Sequence, residues 1–290
     1  MTVREALRQG AKMLNKTAQY KTSHSDSPIL DSEILLCAAI GRPKEFLFAH
    51  PEKNLTAKQF ARYKKFLARS AEHEPVAYIT GKKEFYGLEF IVTPGVLIPR
   101  PETELLIGQV ENPKNIFDIG LGSGAIAIAL KKLFQNAQIF GAETNPRSVA
   151  VARKNAKRLK VNIKIKRGRL LSPLKKEFLR LAGDLIIIAN LPYLSEQEWR
   201  DSQPEIKKYE PRSALVGGKN GWELYEELLR QIQNFIAPLK SYNIILIIEI
   251  GYKQRPVLTA LAKKYLRPKK IKAFKDLNEK WRAIKCAILR

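Results

Sequence analysis

The stretch FDIGLGSGAIAIAL, Phe117 to Leu130, decides how this chain folds. A short apolar run of strand character leads straight into Gly120-x-Gly122-x-Gly124, and a helix-forming run follows at once. Glycines at this spacing let backbone approach a ligand closely and let a helix cross back over its strand. The helix N-terminus adds the positive end of a dipole. Tight-turn geometry alone also uses glycine, so the turn by itself leaves both purposes open. It contains no Lys-Ser/Thr pair of the kind that holds phosphates and Mg²⁺.

Outward from this turn the period of the sequence repeats. KNIFDIG precedes it; AQIFGAET, NPRSVAVARKNAKRL, NIKIKRG, GDLIIIAN, GWELYEELLRQIQNFI and YNIILIIEIG follow. Short apolar runs separated by amphipathic helices predict βαβ units around a mostly parallel sheet, hence an α/β fold. Upstream, KKEFYGLEFIVTPGVLIPRPETE alternates apolar and polar residues and is broken by Gly87, Pro94, Gly95, Pro99 and Pro101, which predicts a β-hairpin and linker. The N-terminal third is helical in pattern. Val3, Leu7 and Met13 share one stripe, Ser27 and Gly41 bracket a second helix, and Thr56 caps a third that carries Phe60, Tyr63, Phe66 and Leu67. The expected organisation is a small helical domain over 1–80, a hairpin and linker over 81–102, and an α/β domain over 103–290.

Composition narrows the class. The 290 residues are 45% hydrophobic, enough to bury a core. Cys37 and Cys286 lie far apart and the histidines are His24, His50 and His73, so neither a disulfide framework nor a zinc site is expected. No signal-peptide core opens the chain, and the most apolar stretches, Leu185–Ala189 and Ile244–Ile250, fall far short of the about 20 residues a bilayer needs. A cytoplasmic protein without membrane contact is expected. The formal charge of +24 favours encounter with RNA or ribosomes, although solvated lysine faces account for such a surplus equally well.

Two further features carry chemistry. Glu143 ends the strand after the glycine turn, where such folds place an acid that accepts hydrogen bonds from ribose hydroxyls. An acid there also suits the dipole of the helix that begins near Pro146. The run DLIIIAN then stops at Asn190-Leu191-Pro192-Tyr193, at the sheet edge where open α/β folds hold their ligands. There an Asn side-chain oxygen and a backbone carbonyl can accept both protons of a planar –NH₂ group while Tyr stacks on its face. Fixing that nitrogen against a methyl sulfonium removes entropic cost, and the acceptors stabilise the charge that develops on it. The competing account is a proline turn with a tyrosine packed at the rim.

DIGLGSG, Glu143 and NLPY in this order resemble class I S-adenosylmethionine-dependent methyltransferases with an Asn-x-Pro-Tyr amino-group site. PVAYITGKKEFYGLEFIVTPGVLIPRPETELLI and YEPRSALVGGKNGWELYEELL resemble the HemK/PrmC family more specifically. The resemblance implies a Rossmann-like, mostly parallel seven-stranded sheet and methylation of N5 of the glutamine in the Gly-Gly-Gln motif of peptide chain release factors. It also implies that the helical domain holds the substrate. By the same resemblance Gly120, Leu121, Gly122, Ser123 and Gly124 would wrap the methionine part of S-adenosylmethionine, and Glu143 would bind its ribose. Asn190 would serve both donor and glutamine, Leu191 or Pro192 would offer a carbonyl, and Tyr193 would stack, with Asn190, Pro192 and Tyr193 as the catalytic set. The product would be S-adenosylhomocysteine, with no metal.

Arg100 and Glu102 would order the donor pocket or merely form a linker salt bridge. Glu210–Leu215 would line the same cleft, with Arg212 there or pinning the loop. Three positions depart from the family pattern: Leu191 replaces a proline, Arg169 stands where an acid is usual, and Glu143 stands where Asp is more common. A backbone contact near Leu170 would compensate for Arg169. Asn-Leu-Pro-Tyr also occurs in rRNA adenine dimethyltransferases, so an RNA or DNA adenine methyltransferase is the alternative activity. A non-catalytic, basic ribosome- or RNA-binding protein is the alternative class.

Overall fold

A computed structural model describes residues 1–17, 27–181 and 184–290; His24 lies outside the described residues. The chain divides into two compact units, Met1–Lys82 with Pro204–Tyr209, and Lys83–Gln203 with Glu210–Arg290.

In the first unit, helices Val3–Leu14, Pro28–Ile40 and Ala57–Ala71 enclose a core of Val3, Ala6, Leu14, Leu35, Leu36, Tyr63, Phe66 and Leu67. Their starts follow from side-chain chemistry. Thr2 with Glu5 and Thr56 with Gln59 form capping boxes, and Ser27 Oγ accepts the Leu30 N–H. Gly41, in the left-handed region, closes the middle helix. Gly10 is where two helices meet most closely: a Cβ there would stand 1.9 Å from the Tyr63 hydroxyl, which is itself 2.6 Å from Ser32 Oγ. Gly10→Ala is therefore expected to destabilise this unit by about 1–3 kcal/mol through overpacking. Thermal unfolding of the variant checks this, and an unchanged midpoint would refute it.

The second unit opens with a hairpin, β1 (Lys82–Phe85) and β2 (Leu88–Ile91), joined through Tyr86 and Gly87, both at positive φ, as a tight two-residue turn requires. A seven-stranded sheet follows, comprising β3 (Asn115–Ile119), β4 (Gln138–Glu143), β5 (Lys164–Arg167), β6 (Leu185–Ala189), β9 (Asn243–Glu249), β10 (Lys270–Lys275) and β11 (Trp281–Leu289). Two short strands, β7 (Leu194–Ser195) and β8 (Val216–Gly218), pair with each other outside it. The order is β10-β11-β9-β6-β3-β4-β5, with β11 antiparallel to both neighbours and the other pairings parallel. This is the mostly parallel, Rossmann-like sheet that the sequence leads one to expect.

Both faces of the sheet are covered. Phe117, Ile119, Ile187, Ala189 and Leu246 pack into one core cluster and Ile116, Ile186, Ile188 and Ile247 into the other. That is why β6 is an unbroken apolar run, and why β3 is buried along its whole length even at Asn115 and Asp118. Strand order reverses between β3 and β6, the position at which open α/β sheets leave a ligand crevice. Register brings the strand ends level: Ile119 lies beside Ala142 and Ala189, and Ala189 beside Ile248. The next residues, Gly120, Glu143, Asn190 and Glu249, therefore emerge along one edge. No helix among the described residues is long and apolar enough to cross a membrane.

Candidate active site

The glycine turn is built from left-handed backbone. Gly120, Gly122 and Gly124 have φ of 82°, 56° and 84°, a region costly for residues with a Cβ. A Cβ on Gly120 would also sit 3.0 Å from the Leu191 side chain, so the turn and the Asn190 loop touch. The N–H groups of Gly120 and Leu121 donate to the Ala142 carbonyl at 3.0 and 3.1 Å, and Gly122 N–H donates to Glu143 Oε2 at 2.9 Å. Glu143 Oε1 accepts from Asn145 N–H at 2.8 Å. A carboxylate offers about four lone-pair sites, so these bonds leave acceptor capacity on Glu143, which is half-exposed.

The side chains of Leu121 and Ser123 are buried, so these two positions present backbone to the crevice. Asn155, wholly buried, donates to the carbonyls of Ser123 and Ile91 and accepts from Ile91 N–H, which ties the turn to β2.

Asp118, passed over in the sequence, belongs to the same turn. Its Oδ2 accepts from Ala127 N–H at 3.1 Å in the helix Ala125–Leu133, while Oδ1 has no partner among the described residues. Burial, opposed by that hydrogen bond, pushes its carboxyl up to about 7.

The Asn190–Tyr193 loop is held from several sides. Leu191 is 3% exposed and points into the core, away from any slot. That explains why a leucine stands there: the position supplies packing and backbone. Its N–H donates to the Tyr225 hydroxyl at 3.1 Å, and that hydroxyl donates to the Glu249 carbonyl at 2.5 Å. The Tyr193 carbonyl accepts from Gln254 Nε2 at 2.7 Å. Leu194 N–H donates to the Leu215 carbonyl at 2.9 Å, where β7 and β8 pair. A Cβ on Gly217 would meet the Pro192 carbonyl oxygen at 2.2 Å, so the Val216–Gly221 segment must be glycine-rich to lie against the loop.

Asn190 and Tyr193 converge on one buried acid. Asn190 Nδ2 donates to Thr103 Oγ1 at 3.0 Å, and Thr103 Oγ1 donates to Glu249 Oε2 at 2.6 Å. Burial, and next the nearby Glu249 charge, push the Tyr193 phenol well up, so it stays protonated. Glu249 is 1% exposed, and burial raises its carboxyl from 4.5 to about 7, against the opposing Thr103 hydrogen bond and nearby Arg282. A carboxyl raised on folding contributes most stability below its unfolded value and loses it as pH rises through the folded one. Over pH 4.5 to 7 the wild type should therefore lose stability relative to Glu249→Gln, and paired melting curves at pH 5 and pH 8 would show this. A constant gap would refute it.

The segment Ile98–Glu104 runs beside these residues, and Arg100 makes an ion pair of the kind the sequence allowed, with the buried Glu210 carboxylate. Arg212 pairs with Glu196 at the start of the helix Glu196–Arg200. Thr103, between the charged residues that draw attention, is the one that reaches Asn190. Arg169 is engaged with Glu227 on the helix Glu223–Ile236 through Nε at 2.7 Å, and Leu170 beside it has φ of 47°.

A profile described as the PrmC N-terminal domain matches residues 5–81, and one described as the methyltransferase small domain matches residues 100–202. A release factor glutamine methyltransferase of Koribacter versatilis is 35% identical over 260 residues, 87% of this chain and 87% of that protein. One from Bacillus anthracis is 30% identical over 293 residues, 98% of each. Among solved structures, a methyltransferase from Pyrococcus furiosus has a TM-score of 0.51 at 18% identity, over 77% of this chain and 98% of that one, which shows a shared fold. At this identity over nearly the whole length, the chain belongs to the release factor glutamine methyltransferase family.

Proposed function

We propose that this protein transfers a methyl group from S-adenosylmethionine to N5 of the glutamine in the Gly-Gly-Gln motif of a peptide chain release factor. The observation that carries the proposal is the orientation of Asn190. Its –NH₂ end is committed to Thr103, which leaves Oδ1 as an acceptor at the strand edge beside the glycine turn. An acceptor there suits a substrate that presents N–H protons, as a carboxamide does.

The residues fit the donor. Left-handed glycines bring bare backbone to the crevice, and Glu143, which accepts from the Gly122 and Asn145 N–H groups and from the Thr144 hydroxyl, keeps a lone-pair site for a ribose hydroxyl. Gly120, Leu121, Gly122, Ser123 and Gly124 would hold the methionine part and Glu143 the ribose. When bound, the donor supplies an electrophilic methyl group on a sulfonium. The chain's own residues position and polarise the nucleophile. Asn190 Oδ1 and a backbone carbonyl, that of Leu191 or Pro192, accept the two amide protons, and Tyr193 covers the amide plane. These acceptors raise electron density on a nitrogen whose lone pair is otherwise delocalised, and they stabilise the positive charge that grows on it. The residues 1–80 hold the release factor, and the +24 charge favours meeting it near the ribosome, in the cytoplasm.

Incubation with labelled donor, offering a release factor and ribosomal RNA in parallel and mapping the product by mass, tests the proposal. Label on the Gly-Gly-Gln glutamine is expected. Label on adenine would replace it with the nucleic-acid activity, and donor binding without transfer would leave a binding protein.

A further inference from the structure

We propose that Glu249, acting through Thr103, is the positioning residue that decides which end of the Asn190 amide faces the substrate. This inference rests on the function proposed above. The two ends of an Asn amide are nearly equal in size, so shape alone does not select between them. Only neighbouring donors and acceptors can. Asn190 Nδ2 lies 3.0 Å from Thr103 Oγ1, and a hydroxyl has one proton to give. Above its raised value of about 7 the Glu249 carboxylate is ionised and only accepts, so there Thr103 gives that proton to Glu249 Oε2, 2.6 Å away. The hydroxyl is left with lone pairs to offer Asn190, so the –NH₂ end must turn inward and Oδ1 outward. Without the carboxylate, the same hydroxyl could donate to Oδ1 and reverse the amide, presenting N–H groups to an N–H substrate.

Burial makes the selection firm. Thr103 is 4% and Glu249 1% exposed, so water does not compete for these bonds. Glu249 reaches this position because it ends β9, which lies in register beside β6, the strand that Asn190 follows.

The test compares Thr103→Val, Thr103→Ser, Asn190→Ala and the double variant Thr103→Val/Asn190→Ala on a release factor. Donor affinity is measured by calorimetry and folding by thermal melting. Thr103→Val is expected to lower kcat by about 100-fold, the scale of a small misplacement of a reacting group, with donor affinity unchanged. Thr103→Ser should restore kcat, since it returns the hydroxyl, and the double variant should be no slower than Asn190→Ala alone. A merely structural role would instead weaken donor binding and would multiply with Asn190→Ala. Wild-type kcat in Thr103→Val, failure of serine to rescue, or multiplying effects would each overturn the inference. If Thr103→Val does not fold, Glu249→Gln, which keeps the shape but removes the obligate acceptor, should show the same fall in kcat, and an unchanged kcat overturns the inference. Absence of glutamine methylation by the wild type would instead overturn the function on which it rests.

Discussion

Asn190→Ala is expected to reduce methyl transfer to a release factor by about 100- to 1,000-fold, the usual result of removing one preorganised partner of developing charge. Donor affinity should hardly change, because Gly120–Gly124 and Glu143 remain in place. The size follows from what is lost. In the proposed arrangement Oδ1 is the acceptor facing the substrate, Nδ2 being bound to Thr103, and alanine would leave the substrate amide with a single carbonyl partner and an unpaired proton. The fall should lie in kcat more than in KM, since the acceptor is worth most as charge grows on nitrogen. Single-turnover transfer with saturating donor measures it. A variant that keeps its rate would show that the slot is not where the amide binds.

Glu143→Ala should act on the other substrate. The carboxylate holds the N–H groups of Gly122 and Asn145, so its removal would loosen the turn and delete the proposed ribose acceptor together. Hydrogen bonds to a charged group are worth about 1.5–3 kcal/mol, so donor affinity should weaken by about 10- to 100-fold. Calorimetric titration with the donor decides the matter. An unchanged dissociation constant would place the ribose elsewhere. Release factor affinity, measured without donor, should be unaffected, which separates this variant from one that simply unfolds.

Much of this architecture was legible in one dimension. The apolar runs in KNIFDIG, AQIFGAET and GDLIIIAN mark central parallel strands, because a strand buried on both faces must be largely apolar, whereas NIKIKRG alternates because β5 is the edge strand. Ser27, Thr56 and Gly41 mark helix ends because capping is local chemistry, complete within three or four residues. The last two strands were less legible. In KIKAFK and WRAIKCAIL lysines and arginine alternate with apolar residues, and the role of β11 as the one antiparallel insertion depends on partners far away in sequence.

By itself, the sequence determined the fold class, the glycine turn, the position of Glu143 and the Asn-Leu-Pro-Tyr slot, since each is set by residues that are neighbours in the chain. Only the tertiary structure decided what organises that slot. Thr103, Asn190 and Glu249 lie on segments separated by 87 and 146 residues, counted from Thr103, and neither Thr103 nor Glu249 carries a local signature. Leu191, which looked like a departure with consequences for substrate choice, proved to face the core. Arg169, which seemed to disturb the donor site, is occupied by Glu227. The physical reason is the same in all three cases. A side chain's direction and partner come from sheet register and packing, and those are set only when strands distant in sequence are brought level.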